Sequence, residues 1–224
     1  AYKPNSAFYE QYGPAGLRAL QRLIAYIHAR YPEIPVILDA KRGDIGSTSA
    51  AYARAAFDTL RADAVTLHPY LGREAISPFL ERAERGCIIL CRTSNPGAGE
   101  FQDLATRGGE NDGEARPLYQ QVARAVASEW NTRGNCALVV GATYPEELRI
   151  VRGLVGDMPI LVPGIGAQGG DLEAVIDAGL DSAGQGLIIS LSRSVLYASS
   201  GADFAEAAQR EATRVMRAIN DARG

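Results

Sequence analysis

Only two histidines, His28 and His68, occur in the 224 residues, too few for a histidine-rich metal site. A basic surplus is missing as well. Lys and Arg number 23 against 26 Asp and Glu, a net charge of -3, which excludes nucleic acid as the main partner. No apolar run approaches the ~20 residues a membrane-spanning helix needs. No charged-then-apolar leader opens the chain, so a secretion signal is not expected. Cysteine is scarce and odd in number: Cys87, Cys91 and Cys136 lie in strand-like apolar runs. Buried, reduced thiols in the cytoplasm fit that usage better than a disulfide framework. What is there, 46% hydrophobic and 22% charged residues, is ordinary for a globular protein. We expect one α/β domain over residues 1–224.

The most informative stretch is Leu38–Ala53, LDAKRGDIGSTSAAYA. Pro35-Val36-Ile37-Leu38 reads as an apolar strand, and Thr48–Ala53 as a helix start with cap residues followed by alanines. Between them stand Asp39, Lys41 and Asp44. Strand alternation predicts Asp39 and Lys41 on one side, roughly 6.5–7 Å apart. Asp44 follows where the chain turns at Gly43 and Gly46. A surface charge cluster is the other reading of this row. Charges directly behind an apolar strand are costly to desolvate unless paired or used, which favours a functional reading.

The remaining chain alternates. Ala1–Asn5 reads as the tail of a strand, and Leu17, Leu20, Ile24 and Ile27 mark one face of a helix ending at Arg30. Strands are expected at Pro35–Lys41, Ala64–His68, Cys87–Cys91, Cys136–Gly141, Met158–Pro163 and Gly186–Ser190. Helices are expected through Leu60, around Ser77–Glu84, and over Pro117–Trp130, Pro145–Val155, Asp171–Ala178 and Asp203–Ala222. Gly99–Gly113 reads as a long polar loop, the kind that serves as a lid or is disordered. Seven strands alternating with helices predict a parallel sheet, and the length favours a (β/α)8 barrel (TIM barrel). An eighth strand with its helix is then expected ahead of Ala1.

Two loops carry phosphate signals. Gly164–Gly170 follows the next-to-last strand and Ser192-Arg193-Ser194 the last, the positions where many barrels cradle a phosphate. Arg193 offers a permanent forked cation, with an interdomain or surface ion pair as its alternative. Thr93, Ser94 and Asn95 could read a polar heterocycle or form an ordinary turn before Pro96. His68 and Tyr144 read as packed or rim residues, and Trp130 and the cysteines as core.

Together these motifs resemble the orotidine 5′-monophosphate decarboxylase family, specifically its bacterial type 2 subgroup. The resemblance rests on Tyr2-Lys3-Pro4-Asn5…Phe8-Tyr9-Glu10, Asp39-x-Lys41-x-x-Asp44-Ile45, Arg92-Thr93-Ser94-Asn95-Pro96-Gly97, Pro163–Gly170 and Ser192-Arg193-Ser194, in family order along nearly the whole chain. It implies a homodimeric barrel with shared active sites, acting on orotidine 5′-monophosphate to give uridine 5′-monophosphate in pyrimidine biosynthesis, with no cofactor and no metal. Lys3, Asp39 and Lys41 would come from one subunit, and Asp44, Ile45 and the ribose-contacting Thr48 from the other. Ser94 would read the pyrimidine. Gln168 and Arg193 would hold the phosphate, with Gly169, Ser192 and nearby backbone amides assisting. Lys41 would donate the proton to C6. The family's strand-one aspartate has no counterpart in these residues. Two rivals share the fold: a Mg²⁺-dependent sugar-phosphate decarboxylase or aldolase of the same suprafamily, and a non-catalytic phosphometabolite-binding barrel.

Overall fold

A computed structural model describes residues 1–107, 115–165 and 170–224. Its main sheet is parallel, in the order β1-β2-β3-β6-β7-β8. These strands are β1 (Ile37–Arg42), β2 (Ala64–Leu67), β3 (Gly86–Arg92), β6 (Cys136–Val140), β7 (Ile160–Pro163) and β8 (Leu187–Ser190). Each predicted strand in the interior of the chain is present, within two residues at either end. Helices separate them, as parallel connections require.

The chain divides into two compact units. The first comprises Ala1–Leu90 with Ala125–Ala137. Here Tyr2 and Asn5 bridge in parallel to Val36 and Asp39, so the opening residues extend the sheet beyond β1 as their strand-like pattern predicts. The helix Gly13–Arg30 buries Gly16, Leu20, Ile24 and Ile27. Leu17, expected on that face, is 45% exposed. Gly16 takes its place because the helix passes against the preceding turn: a Cβ there would stand 1.8 Å from Tyr9 O. Phe57 and Phe79 meet edge to face at 5.9 Å, both fully buried.

The helix expected around Ser77–Glu84 instead runs Gly72–Leu80, with Pro78 inside it. Proline leaves the carbonyl four residues back without its N–H partner. Ser77 Oγ fills that gap, donating to Glu74 O at 2.9 Å. The helix therefore continues through Pro78 and starts five residues earlier than expected. The Gly46–Arg54 helix widens into a π-helical turn at Ala55–Thr59.

The second unit comprises Cys91–Arg124 with Leu138–Gly224. Its helices Pro145–Val155 and Leu172–Gly179 match expectation, the latter capped by Asp171 accepting from Glu173 and Ala174 N–H. Phe204–Arg223 forms the last helix. Gly99–Gly113 is not simply a loop. Gly99–Gln102 makes a helical turn, and β4 (Ala105–Thr106) pairs antiparallel with β5 (Arg116–Pro117). Residues 108–113 of that stretch lie outside the described residues. All three cysteines are buried free thiols. No helix among the described residues is long and apolar enough to cross a membrane.

Candidate active site

In the first unit, the end of β1 departs from a regular ladder. Leu38 pairs with Val65 and Arg42 with Leu67, so three β1 residues face the single Thr66. Lys41 sits in this bulge with φ of 49°, a left-handed conformation unusual for a side-chain-bearing residue. The bulge, rather than plain alternation, sets the approach of the charges. Asp39 is almost enclosed, its side chain 9% exposed. Lys3 Nζ donates to its Oδ2 at 2.8 Å and Lys41 Nζ to its Oδ1 at 2.5 Å. Asn5 Nδ2 reaches Oδ2 at 3.4 Å, and Thr66 Oγ1 reaches Oδ1 at 3.1 Å. Burial alone would raise the Asp39 pKa. The two ammonium groups outweigh it and hold the carboxyl below its usual range.

Asp44 does not join this cluster within the chain. Its Oδ1 accepts from the Ile45 N–H at 2.8 Å. Ile45 is 62% exposed and Thr48 lies on the exposed side of the following helix. His68 is a packing residue, as expected: its Nε2 donates to Gly43 O at 2.9 Å, and a Cβ on Gly43 would strike the ring.

In the second unit, Arg92 is 3% exposed at the end of β3. Its guanidinium donates to Asp103 and to Thr93 O, both at 3.0 Å, and stacks 4.1 Å over the Tyr144 ring. Gln102 accepts from Thr93 N–H at 2.8 Å. These contacts fix the turn that presents Ser94. Ser94 backs directly onto Gly141, where a Cβ would stand 2.6 Å from that of Ser94.

Ser192 and Arg193 are exposed, and Arg193 opens the short helix Arg193–Leu196. Among the described residues Arg193 forms no ion pair, so the surface-pair alternative finds no partner there. Gly164 turns with φ of 103° at the start of the glycine-rich loop. Gln168 and Gly169, both expected at the phosphate, lie outside the described residues. Asp171 occupies the N–H groups at the start of the next helix, so that helix is capped by its own chain.

Sequence reasoning missed Thr66, Arg92 and Gly141 as supports of the site. Thr66 and Arg92 left a signal: a hydroxyl and a guanidinium within apolar strand runs, buried only if bonded. Gly141 is one of 24 glycines, and nothing local sets it apart.

Parallel strands alternating with helices place the chain in the α/β class, and the Lys3–Asp39–Lys41 cluster stands toward the C-terminal end of β1, where parallel α/β folds carry their sites. The family model for orotidine 5′-phosphate decarboxylase / HUMPS matches residues 1–209. The orotidine 5′-phosphate decarboxylase of Cellvibrio japonicus is 55% identical over 223 residues, 100% of this chain and 78% of that protein. The solved structure of Leishmania donovani OMP decarboxylase superposes with a TM-score of 0.84 at 41% identity, covering 100% of this chain and 80% of that one. Leishmania donovani UMP synthase gives a TM-score of 0.87 at 43% identity, with 100% of this chain spanning 46% of that longer protein. The chain belongs to the orotidine 5′-phosphate decarboxylase / HUMPS family.

Proposed function

We propose that this chain decarboxylates orotidine 5′-monophosphate to uridine 5′-monophosphate in de novo pyrimidine biosynthesis in the cytoplasm, using neither cofactor nor metal. The observation that carries the reading is the nearly enclosed Asp39 held between Lys3 at 2.8 Å and Lys41 at 2.5 Å. When the bond from C6 to the carboxylate breaks, CO₂ leaves and the electron pair stays on C6. The Lys41 ammonium stabilises that charge and then delivers a proton to C6, and the neutral amine regains a proton from water. Asp39 keeps both lysines charged and fixed before substrate arrives, so no reorganisation is needed at the moment of reaction. Two ammonium groups already occupy the Asp39 oxygens, which disfavours a Mg²⁺ ion there.

The remaining roles follow the family resemblance. Ser94 reads the pyrimidine, while Gln168, Gly169, Ser192 and Arg193 hold the phosphate. The active unit is a homodimer in which Asp44, Ile45 and Thr48 serve the partner's lysine pair. The exposure of Ile45 and Thr48, and an Asp44 that bonds neither lysine of its own chain, support that reading. Phosphate binding far from the reacting carbon supplies energy to organise the site.

The test is Lys41→Ala. Turnover of orotidine 5′-monophosphate should fall by at least about 100-fold, the low end for a positioned proton donor, with the melting temperature little changed. Turnover retained at the unmodified level would remove Lys41 from the mechanism.

A further inference from the structure

Thr66 is the lone polar residue of β2, Ala64–Leu67, and is 1% exposed. A threonine hydroxyl has one proton to donate and two lone pairs to accept. All three are used. Thr66 Oγ1 accepts from the N–H groups of Ala40 at 3.0 Å and Lys41 at 2.9 Å, and donates to Asp39 Oδ1 at 3.1 Å. The two N–H groups belong to the bulged residues of β1, where the regular ladder between Leu38 and Arg42 is interrupted. Without the hydroxyl these part-buried donors would lose their protein partner. The same hydroxyl therefore secures the backbone turn that gives Lys41 its φ of 49° and orients the carboxylate oxygen that Lys41 Nζ meets. A closed ring results: Thr66 to Lys41 backbone, Lys41 side chain to Asp39, Asp39 back to Thr66.

We propose that Thr66 is a positioning residue of the reaction, its hydroxyl setting the bulge and the Asp39 oxygen that together aim the Lys41 ammonium. A valine of the same shape would fill the space equally well, so packing alone does not call for a hydroxyl here. The proposal rests on the decarboxylase reading for its kinetic consequence, but its electrostatic consequence stands apart from that reading.

The experiment compares Thr66→Val, Thr66→Ala and Thr66→Ser. Thr66→Ala is the fallback should Thr66→Val not fold, because the space it opens admits water to the freed N–H groups. Loss of the hydroxyl should lower kcat for orotidine 5′-monophosphate by about 30- to 100-fold, with KM within about 3-fold, the pattern of a misplaced reacting group. Thr66→Ser should recover to within about 5-fold of the unmodified protein. The second readout is the pH titration of the Asp39 carboxyl carbon by NMR. The charged groups facing that carboxylate, Lys3 and Lys41, are the same in every variant. The midpoint should therefore rise in Thr66→Val and Thr66→Ala and stay near the unmodified value in Thr66→Ser. Unmodified kcat in a folded hydroxyl-free variant, an equal loss in Thr66→Ser, or an unshifted Asp39 midpoint would overturn the proposal. If the unmodified chain does not turn over the nucleotide, the decarboxylase reading fails and the Asp39 titration still decides the role of Thr66.

Discussion

Four donors converge on the Asp39 carboxylate: Lys3, Asn5, Lys41 and Thr66. A carboxylate so placed stays ionised at pH values where a free one is half protonated. Its pKa is depressed below 3.8 in the folded chain, so its contribution to stability is complete above the unfolded value. That contribution is lost as the pH falls through the folded value. Replacing Asp39 by Asn should destabilise the protein at neutral pH, and the gap should close on acidification below about pH 4. Urea unfolding at a series of pH values checks this, and a gap that widens toward low pH would contradict it. The charge row itself is readable from the sequence, because an apolar strand running into Asp-x-Lys is costly unless the charges are paired. The left-handed Lys41 and its bulge are not readable, because the hydroxyl that stabilises them arrives from β2, 25 residues away in sequence.

Among the elements, the positions of the strands and most of the Gly13–Arg30 buried face follow from apolar periodicity. The departures follow from contacts that periodicity does not encode. Gly16 replaces Leu17 on a buried face because Tyr9 O crosses there, and Pro78 is absorbed into a helix because Ser77 caps the orphaned carbonyl. Gly141 is another such contact. The end of β6 must pass Ser94 with no room for a side chain, so Gly141→Ala should push the Ser94 turn away from its seat. The expected result is a loss of about 10- to 100-fold in kcat/KM for the nucleotide, mainly through KM, with cooperative unfolding preserved. An unchanged KM would show that the Ser94 turn does not read the substrate.

For the whole molecule, the proposed reaction centre is completed by a second copy of the chain. Ile45 is 62% exposed directly after an Asp44 that bonds neither lysine of its own chain, an arrangement suited to completing a neighbour's site. Lys41→Ala and Asp44→Ala variants, each inactive alone, should regain activity when mixed. A mixed dimer holds one site built wholly from unmodified residues, so recovery approaches one quarter of the unmodified rate after random exchange, ~25%. Absence of recovery, once subunit exchange is verified by mass, would contradict shared sites. The α/β class is readable from strands alternating with helices, and the family resemblance from five motifs taken together. The proposed pairing between copies is carried by the family resemblance alone, because one chain's periodicity holds no record of a partner surface.

Metal-free decarboxylation is tested by the loss of orotidine 5′-monophosphate absorbance on adding this chain, with and without EDTA. Turnover to uridine 5′-monophosphate is expected at the same rate in both. Turnover abolished by EDTA, or nucleotide bound but never converted, would contradict a lysine-driven, metal-free decarboxylation.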